Sequence, residues 1–389
     1  MMLAVTRSAA MAKPRIEEDR LEGVRVLKKR QFCLSVALVA AILLELASPA
    51  AGADKDPTAA ESGTETGAIE VPAFTYPPSS LSSEEQKRAY EQSLAMPGDG
   101  TITMPSDPKL VAKIRSFIEA RFKPTIDKMQ ERYPVEMSQE TIAGVEVIRV
   151  RPKGGVAKEN RKRVLVDVHG GAYMVGWPSM ALLDAIPVAS LSGIEVVTIN
   201  YRMFPEAVHP AALEDLTKVY KEILKDHDPA NVGIFGGSGG GIITLQAIPW
   251  FRERGIPLPA AIGALACGFQ TAVGDSVIWN FNGSISKPGT TLIETGGYFG
   301  DAKRTDWVPG TSPEALAYYP PTLWMAGTRA PEMSGAIFGH TSMLKKGVES
   351  ELYMIEGGWH SSYSTAPETP ESQDAMRYIA HWFDKRLGR

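Results

Sequence analysis

Ser238 lies in a short glycine-rich segment whose pattern is typical of a catalytic nucleophile. The segment Gly236-Gly237-Ser238-Gly239-Gly240 follows the apolar run Val232–Phe235 and opens a stretch with helical periodicity. A sharp strand-turn-helix corner pushes the serine hydroxyl outward, and small residues on both sides let the backbones approach closely. The alternative is a loop that is merely flexible or that cradles a phosphate. The segment lacks the lysine of a P-loop, and a dinucleotide fingerprint belongs on the first strand rather than on a later one.

A second glycine segment predicts an anion-binding partner for that serine. The segment His169-Gly170-Gly171-Ala172 ends the run Arg163–Val168, which is typical of a buried strand. Attack by a serine on a carbonyl creates a negatively charged oxygen, which needs fixed N–H donors. The amides of Gly170 and Gly171 can face this oxygen, and Gly239 after the nucleophile can supply a third. A plain glycine turn is the alternative, and we expect the histidine of this segment to support the loop rather than to act as a base.

His360 is the best-placed general base in the sequence. It ends the segment Glu356-Gly357-Gly358-Trp359-His360, directly after the last predicted strand. A base that activates a serine must come from a loop beyond the strand ends, because the nucleophile is presented at that edge. The other histidines fit structural, surface or packing positions better: His169, His209, His227, His340 and His381. No group of cysteines and histidines has metal-ligand spacing, so the predicted site uses neither a metal nor an organic cofactor.

The chain from about Val164 to Tyr363 resembles the bacterial hormone-sensitive-lipase-like esterases. Beyond the two glycine segments, further stretches match the pattern of that family: Asn200-Tyr201-Arg202-Met203-Phe204-Pro205-Glu206, Pro210-Ala211-Ala212-Leu213-Glu214-Asp215, Ser312-Pro313 and Pro320-Pro321-Thr322-Leu323. The resemblance implies an α/β-hydrolase fold with a mostly parallel central sheet, helices on both faces and a helical cap. It also implies a serine carboxylic-ester hydrolase that acts on short-to-medium acyl esters through an acyl-enzyme. An amidase that uses the same site is an alternative. Gly237 and Gly239 depart from the family, which usually has acidic or hydroxyl and alanine residues there.

The catalytic acid is the most important departure from the family that the sequence resembles. Close relatives carry an aspartate after the penultimate strand, and Gly327-Thr328-Arg329-Ala330 places Ala330 at that position. Three explanations compete: the acid has moved to Glu332, the protein is a weakened or non-catalytic relative that binds small molecules, or the alanine was engineered. Glu332 is favoured, because a glutamate can fill this role and its longer side chain can reach His360. Glu356 is the second choice.

Strand-like and helical segments alternate along the body of the chain, which predicts a mainly parallel sheet covered on both faces. The predicted strands are 145–152, 163–168, 194–200, 232–235, 260–266, 322–325 and 351–355, and the helices among them are 211–225, 239–254, 334–347 and 370–386. Two helices precede any strand, at about 82–94 and 107–132, and Pro124 should kink or split the second. We interpret residues 81–389 as one α/β-hydrolase domain with cap helices at about 81–134. The irregular stretch 269–319 is interpreted as a second cap piece or a lid.

The N-terminal residues predict export. Lys28-Lys29-Arg30 precede the apolar run Phe32–Ala47, and Ala51-Gly52-Ala53 forms a small-residue cleavage pattern. Residues 1–53 are therefore interpreted as a signal peptide, and the mature chain is expected to be secreted or periplasmic. A retained anchor is the alternative, but the apolar run is shorter than a membrane-spanning helix needs. Residues 54–80 contain almost no large apolar side chains and are expected to form a flexible linker.

Composition and cysteine content limit the classes of partner. A formal net charge of -4 over 389 residues provides no basic field, so nucleic acid is not an expected partner. Cys33 lies in the N-terminal apolar run, so its removal would leave one thiol, Cys267, and no internal disulfide. We expect Cys267 to be a small core residue. The expected partner is a small-molecule ester substrate, without a stable membrane span in the mature chain, and a homodimer stays open.

Overall fold

The described part of the chain is built around a sheet of eight strands. The structure is a computed structural model, and it describes residues 75–94, 105–269, 274–278, 297–300 and 313–388. The strands are β1 (Val135–Ile142), β2 (Val145–Pro152), β3 (Val164–Val168), β4 (Glu195–Ile199), β5 (Val232–Gly237), β6 (Ala261–Leu265), β7 (Thr322–Gly327) and β8 (Ser350–Ile355). The predicted signal peptide, most of the predicted linker and most of the stretch 269–319 lie outside the described residues.

The strand order is β1-β2-β4-β3-β5-β6-β7-β8. The pairs β1–β2 and β2–β4 are antiparallel, and the pairs from β4 through β8 are parallel. The predicted mostly parallel sheet is thereby confirmed. β3, β5, β6 and β7 are buried along their whole length, as strands covered on both faces should be. Because these strands run the same way, the loops that follow β3, β5, β7 and β8 meet at one edge of the sheet.

The sequence patterns miss β1, which lies at the edge of the sheet. Six successive residues in it, 136–141, are exposed, and most of its side chains are polar. Its backbone pairing with β2 positions it, rather than an apolar face. A strand of this kind has no hydrophobic alternation that a sequence could reveal.

Helices cover both faces of the sheet. Those described are α1 (Glu84–Leu94), α2 (Pro108–Arg132), α3 (Ser179–Ser192), α4 (Ala211–Ile223), α5 (Gly239–Glu253), α6 (Asp275–Ile278), α7 (Pro313–Leu316), α8 (Met333–Leu344), α9 (Ser362–Thr365) and α10 (Pro370–Arg386). One apolar cluster packs α3 and α10 against the sheet, and a second packs α4, α5 and α8 against the other face. The predicted layering of helix, sheet and helix is confirmed.

Two helices correct the sequence analysis. α3 is missed by the sequence patterns, because nearly all its residues are buried and Pro187 lies inside it, so no apolar period appears. α2 is a single helix, and a split at Pro124 is wrong. Both Pro124 and Ala120, whose carbonyl loses its helical donor, are exposed, so water can satisfy that carbonyl.

α2 is anchored on the segments that follow β3 and β4. Ser179 donates to the Glu119 carboxylate (2.9 Å), and Arg115 donates to the Met174 carbonyl (2.8 Å). Arg115 also pairs with Glu206 at 2.7 Å. The role of this helix in a cap stays a prediction. Among the described residues, no helix combines the length and the apolar composition that crossing a membrane requires.

Candidate active site

Ser238 stands at the corner between β5 and α5 in a backbone conformation that costs energy. Its φ and ψ are 53° and -121°, and strain in such sparsely populated regions costs about 1–3 kcal/mol per residue. Its amide donates to the carbonyl of Leu265 in β6 (2.8 Å), which ties the corner to the neighbouring strand. A side chain on Gly240 would overlap the carbonyl oxygen of Val168 in β3, so this close approach requires glycine. Main-chain packing therefore places the serine at the carboxyl edge of the sheet.

His360 faces Ser238 from the loop after β8. Its Nε2 lies 2.9 Å from Ser238 Oγ, within hydrogen-bond reach of the proton that a base would remove. About a third of the His360 side chain, 36%, is exposed, so the ring is open to a molecule that approaches the serine. The arrangement is that of a serine and its general base.

Glu332 extends this contact into a chain of hydrogen bonds. Its Oε2 lies 2.9 Å from His360 Nδ1, and Glu332 is only 6% exposed. A carboxylate only accepts hydrogen bonds, so Nδ1 carries the proton in this pair. In the neutral ring Nε2 is then the acceptor, and the Ser238 hydroxyl donates to it. The hydrogen bond to Glu332 thus selects the ring tautomer that can take a proton from serine.

The structure separates the two carboxylates that the sequence offered as the acid. Glu332 immediately precedes α8 and contacts His360, whereas Glu356 accepts a hydrogen bond from the Ser79 hydroxyl (2.6 Å). Ala330, at the position where relatives of the resembled family have aspartate, is buried, and its methyl group offers no acceptor. Of these residues, Glu332 is the one that meets the histidine.

Glu332 also sets the basicity of His360. Burial alone would lower the pKa of His360, but the negative charge and hydrogen bond of Glu332 outweigh it and leave the pKa above its usual value. A raised pKa makes the imidazole a better proton acceptor. The charge of Glu332 also stabilises the protonated form of the ring.

Of the three glycines predicted to bind an oxyanion, Gly170 packs on Ser238 and Gly239 follows it in the chain. A Cβ on Gly170 would lie 3.3 Å from the Ser238 Cβ, so this part of the loop after β3 packs directly on the nucleophile. Gly171 follows in the same loop, and Gly239 is the first residue of α5. Among the described residues, no acceptor takes a hydrogen bond from the amides of these three glycines. They are therefore available as donors, and Gly239 lies at the N-terminus of α5, where the helix dipole also favours negative charge.

His169 fixes the orientation of one of these amides. It is completely buried, and burial lowers its pKa to about 4, so the ring is neutral. Its Nδ1 lies 2.6 Å from the Gly170 carbonyl, and its ring stacks on Tyr201 at 4.4 Å between centroids. In a trans peptide the C=O and the next N–H point in opposite directions. Holding the Gly170 carbonyl toward His169 therefore turns the Gly171 amide away from it, as the supporting role expected from the sequence requires.

Gly237, one of the departures noted in the sequence, has a steric explanation. A Cβ at this position would lie 2.5 Å from the Tyr363 hydroxyl and 2.9 Å from Asp184 Oδ2. Two polar side chains therefore occupy the space beside the residue that precedes the nucleophile. Neither Asp184 nor Tyr363 belongs to a motif, and the sequence analysis misses both.

Residues 76–94 hold the loop that carries Glu332. The guanidinium of Arg329, three residues before Glu332, lies over the rings of Tyr76 (4.2 Å to the centroid) and Tyr90 (4.9 Å). Arg329 also donates to the Pro77 carbonyl. These contacts fix the start of the turn that delivers Glu332 to His360.

The same residues, 76–94, hold the loop that carries His360. Gln86 Nε2 donates to the Glu356 carbonyl at 2.6 Å, and Tyr90 packs against Trp359 with 5.8 Å between ring centroids. Trp359 is the neighbour of His360 in the chain. The residues in these contacts are separated by about 270 positions, so no local pattern in the sequence indicates them.

Two histidines and the cysteine singled out in the sequence lie outside the hydrogen-bond chain of Ser238, His360 and Glu332. His227 Nδ1 contacts the Lys162 carbonyl (2.8 Å), and His340 Nδ1 contacts Ser350 Oγ (2.9 Å). Cys267 is free and buried, and burial raises its pKa, as befits a core thiol. Within the described ranges, no group of His, Cys, Asp and Glu residues is arranged to hold a metal ion.

Comparisons with known proteins agree with this architecture. Residues 165–364, just over half of the chain, match a protein family described by the alpha/beta hydrolase fold. A Mycobacterium tuberculosis protein named as an acetyl-hydrolase, LipR, is 28% identical over 240 residues, which are 61% of this chain and 76% of that protein. An acetyl-hydrolase of Streptomyces hygroscopicus is 34% identical over 100 residues, 25% of this chain and 33% of that protein.

Solved structures share the fold at lower sequence identity. A hormone-sensitive lipase from a metagenome library superposes with a TM-score of 0.64 at 22% identity, covering 79% of this chain and 99% of that one. An esterase from the bacterial hormone-sensitive lipase family gives a TM-score of 0.59 at 23% identity, covering 79% of this chain and 99% of that one. At identities this low, the superpositions establish a common fold and nothing further.

Proposed function

Since the chain belongs to the alpha/beta-hydrolase-fold family, we propose that it is a serine carboxylic-ester hydrolase. Ser238 is the proposed nucleophile, His360 the general base and Glu332 the acid that orients the histidine. The observation that carries the proposal is the unbroken hydrogen-bond chain from Ser238 Oγ to His360 (2.9 Å) and from His360 to Glu332 (2.9 Å). In a serine hydrolase these three roles require this connectivity.

In the proposed reaction, His360 Nε2 takes the hydroxyl proton as Ser238 Oγ attacks the ester carbonyl. The negative charge that develops on the carbonyl oxygen is stabilised by the amides of Gly170, Gly171 and Gly239. The tetrahedral intermediate then expels the alcohol, which receives the proton from His360, and an acyl-enzyme remains on Ser238. A water molecule gives its proton to His360 and attacks the acyl carbon. Collapse of the second intermediate releases the carboxylic acid and returns the proton to Ser238.

Glu332 takes the place of the missing aspartate in this proposal. Its contact with His360 Nδ1 supports the idea that the acid has moved along the loop, and it weighs against the alternative of an inactive scaffold based on Ala330. The charge and hydrogen bond of Glu332 raise the pKa of His360, as the acid of a serine triad should.

We further propose short-to-medium acyl esters as substrates. The names of two relatives, both acetyl-hydrolases, support small acyl groups. An amidase would use the same three residues and the same oxyanion donors, so a comparison of matched ester and amide substrates belongs in the test.

The experiment measures hydrolysis of p-nitrophenyl acetate, butyrate and octanoate and of the p-nitroanilide with the same acyl group as the best of these esters. Labelling of the protein by a fluorophosphonate is measured alongside. We expect stoichiometric labelling and ester turnover in the unaltered protein, and loss of both in Ser238→Ala. Ser116→Ala is the matched control, because Ser116 lies on the exposed surface of α2. Absence of labelling and turnover in the unaltered protein would overturn the enzyme proposal, and faster anilide than ester turnover would favour an amidase.

A further inference from the structure

A carboxyl group and a phenol meet behind the nucleophile, at Gly237. Tyr363 donates from its hydroxyl to Asp184 Oδ2 over 3.3 Å. Both groups pack directly against Gly237. A Cβ at this position would lie 2.5 Å from the hydroxyl and 2.9 Å from the carboxylate oxygen. Both residues are buried. The proposed reaction uses neither of them.

The three residues come from three different catalytic segments. Asp184 belongs to α3, the helix that follows the loop of Gly170 and Gly171. Tyr363 belongs to α9, three residues after His360. Gly237 ends β5 and immediately precedes Ser238. One hydrogen bond therefore joins α3, which follows the oxyanion loop, to the segment after His360, and it passes beside Gly237.

The pKa shifts of the two groups make the Tyr363 hydroxyl the donor in this hydrogen bond. Burial, and then the nearby charge of Asp184 and Asp167, raises the pKa of Tyr363 well above its usual value, so its hydroxyl remains a donor. Burial raises the pKa of Asp184 to about 7, against the opposing effect of hydrogen bonds from Tyr363 and Ser364. A buried carboxyl group is costly, and among the described residues Asp184 Oδ1 has no hydrogen-bond partner, so the contact of Oδ2 with Tyr363 is a main compensation for this cost.

We infer that Asp184 and Tyr363 are positioning residues that set the place of His360 relative to Ser238. The hydroxyl of Tyr363 anchors the segment after the histidine to α3, and Gly237 is small so that this link can pass directly behind the nucleophile. The inference rests on the proposed function, because it assumes that Ser238 and His360 act together. A buried link of this kind acts on the alignment of the two reacting groups and not on the binding of substrate.

The test compares Tyr363→Phe, Asp184→Asn and Asp184→Ala by steady-state kinetics with p-nitrophenyl butyrate. Tyr363→Phe removes the donor with little change in shape, and we expect kcat to fall about tenfold with KM within about twofold. Asp184→Asn keeps an acceptor for the hydroxyl and should retain kcat within about threefold, whereas Asp184→Ala should lose as much as Tyr363→Phe. The double variant Asp184→Ala with Tyr363→Phe should lose no more than either single variant, since both remove the same hydrogen bond.

Tyr220→Phe is the matched control for loss of a buried hydroxyl. Among the described residues the Tyr220 hydroxyl has no hydrogen-bond partner, and Tyr220 lies in α4, where it stacks on Phe251. We expect its kcat to equal that of the unaltered protein. Folding of each variant is checked by thermal unfolding, and Tyr363→Phe and Asp184→Asn carry the test if Asp184→Ala does not fold.

Three results would overturn the inference while the enzyme itself remains active. They are an unchanged kcat in folded Tyr363→Phe, a change confined to KM, and independent additive losses in the double variant. Lack of turnover in the unaltered protein would instead remove the proposed function on which the inference rests. The two failures are therefore distinguished by the first measurement.

Discussion

The nucleophile side and the base side of the candidate site are constructed in different ways. On the nucleophile side, Ser238 is held by main-chain contacts: its amide bonds to Leu265, and Gly240 packs on the carbonyl of Val168. On the base side, the loops of His360 and Glu332 are held by side chains from residues 76–94, which lie far away in the chain. The first side is specified by local sequence and strand pairing, whereas the second depends on long-range contacts.

This difference explains where substitution is tolerated. A corner built from backbone packing admits almost no change, because a single methyl group would collide with a carbonyl oxygen. Loops held by side chains can deliver an acid from a different residue, provided that its carboxylate reaches the same ring nitrogen. Ala330 and Glu332 illustrate this freedom, since the proposed acid Glu332 lies two residues beyond Ala330 and contacts His360.

The largest effect is expected from the charge on the base side. Glu332→Gln should lower kcat by about ten-thousand-fold, by analogy with the loss of the acid in other serine triads, while the fold is retained. The pH profile of kcat/KM should change as well. The histidine must be neutral to act, so activity rises with pH through the pKa of His360, which Glu332 raises. Without that charge the pKa falls, and the acidic limb of the profile should move to lower pH.

Glu356→Gln is the matched control for this substitution. Its carboxylate contacts Ser79 and not His360, so we expect a small change in kcat and no shift of the acidic limb. If Glu356→Gln instead produced the large loss and Glu332→Gln did not, the assignment of the acid would be wrong. Pre-steady-state labelling of Ser238 by a fluorophosphonate checks the same point independently of substrate.

The next largest effect is expected on stability from the nucleophile side. Gly240→Ala should lower the free energy of unfolding by about 3 kcal/mol or more, because the added methyl group would force β3 and α5 apart. Gly255→Ala is the control: its φ is 62°, with no atom within 4 Å of the added carbon. Left-handed strain alone costs about 1–2 kcal/mol there. Equal losses in urea denaturation would contradict the claim that main-chain packing fixes this side.

The same contrast decides how much the sequence predicts. The parallel sheet, the corner at Ser238 and the glycine loop follow from continuous apolar runs and adjacent small residues, and those signals are local. α3 escapes because it is buried on nearly all sides and has no apolar period. The contact between Gln86 and Glu356 joins residues that are 270 positions apart in the chain, and the contact between Asp184 and Tyr363 joins residues that are 179 positions apart. Packing alone brings such residues together, and no spacing rule encodes them.

A smaller effect is expected from Asp184, which lies between the two sides. Its folded pKa is about 7, raised by burial, and its usual value is 3.8. Between these pH values the folded protein binds a proton that the unfolded chain has released, so stability should decrease as pH rises through this window. Asp184→Asn removes this dependence, and it also relieves Asp167, whose pKa is raised first by burial and then by the charge of Asp184.

When pH is raised from 5 to 8, the unfolding free energy of the unaltered protein should therefore fall by about 1–3 kcal/mol more than that of the Asp184→Asn variant. Urea denaturation at both pH values measures this difference. His360 titrates in both proteins, so its contribution largely cancels in the comparison. A parallel pH dependence in the two proteins would mean that the carboxyl group is ionised throughout this range.

The smallest effect is expected from the N-terminal contact with the base loop. Gln86→Ala removes the shorter of the two hydrogen bonds that the Glu356 carbonyl accepts and leaves only the one from the Ser82 hydroxyl at 3.3 Å. The loop that carries His360 should then sample misaligned positions, and kcat should fall about threefold with KM nearly unchanged. Arg88→Ala, on the exposed face of the same helix, is the control and should leave kcat unaltered. Equal kcat values for the two variants would mean that the loop of His360 keeps its position without the Gln86 hydrogen bond, and its anchoring by α1 would then rest on the packing of Tyr90 against Trp359.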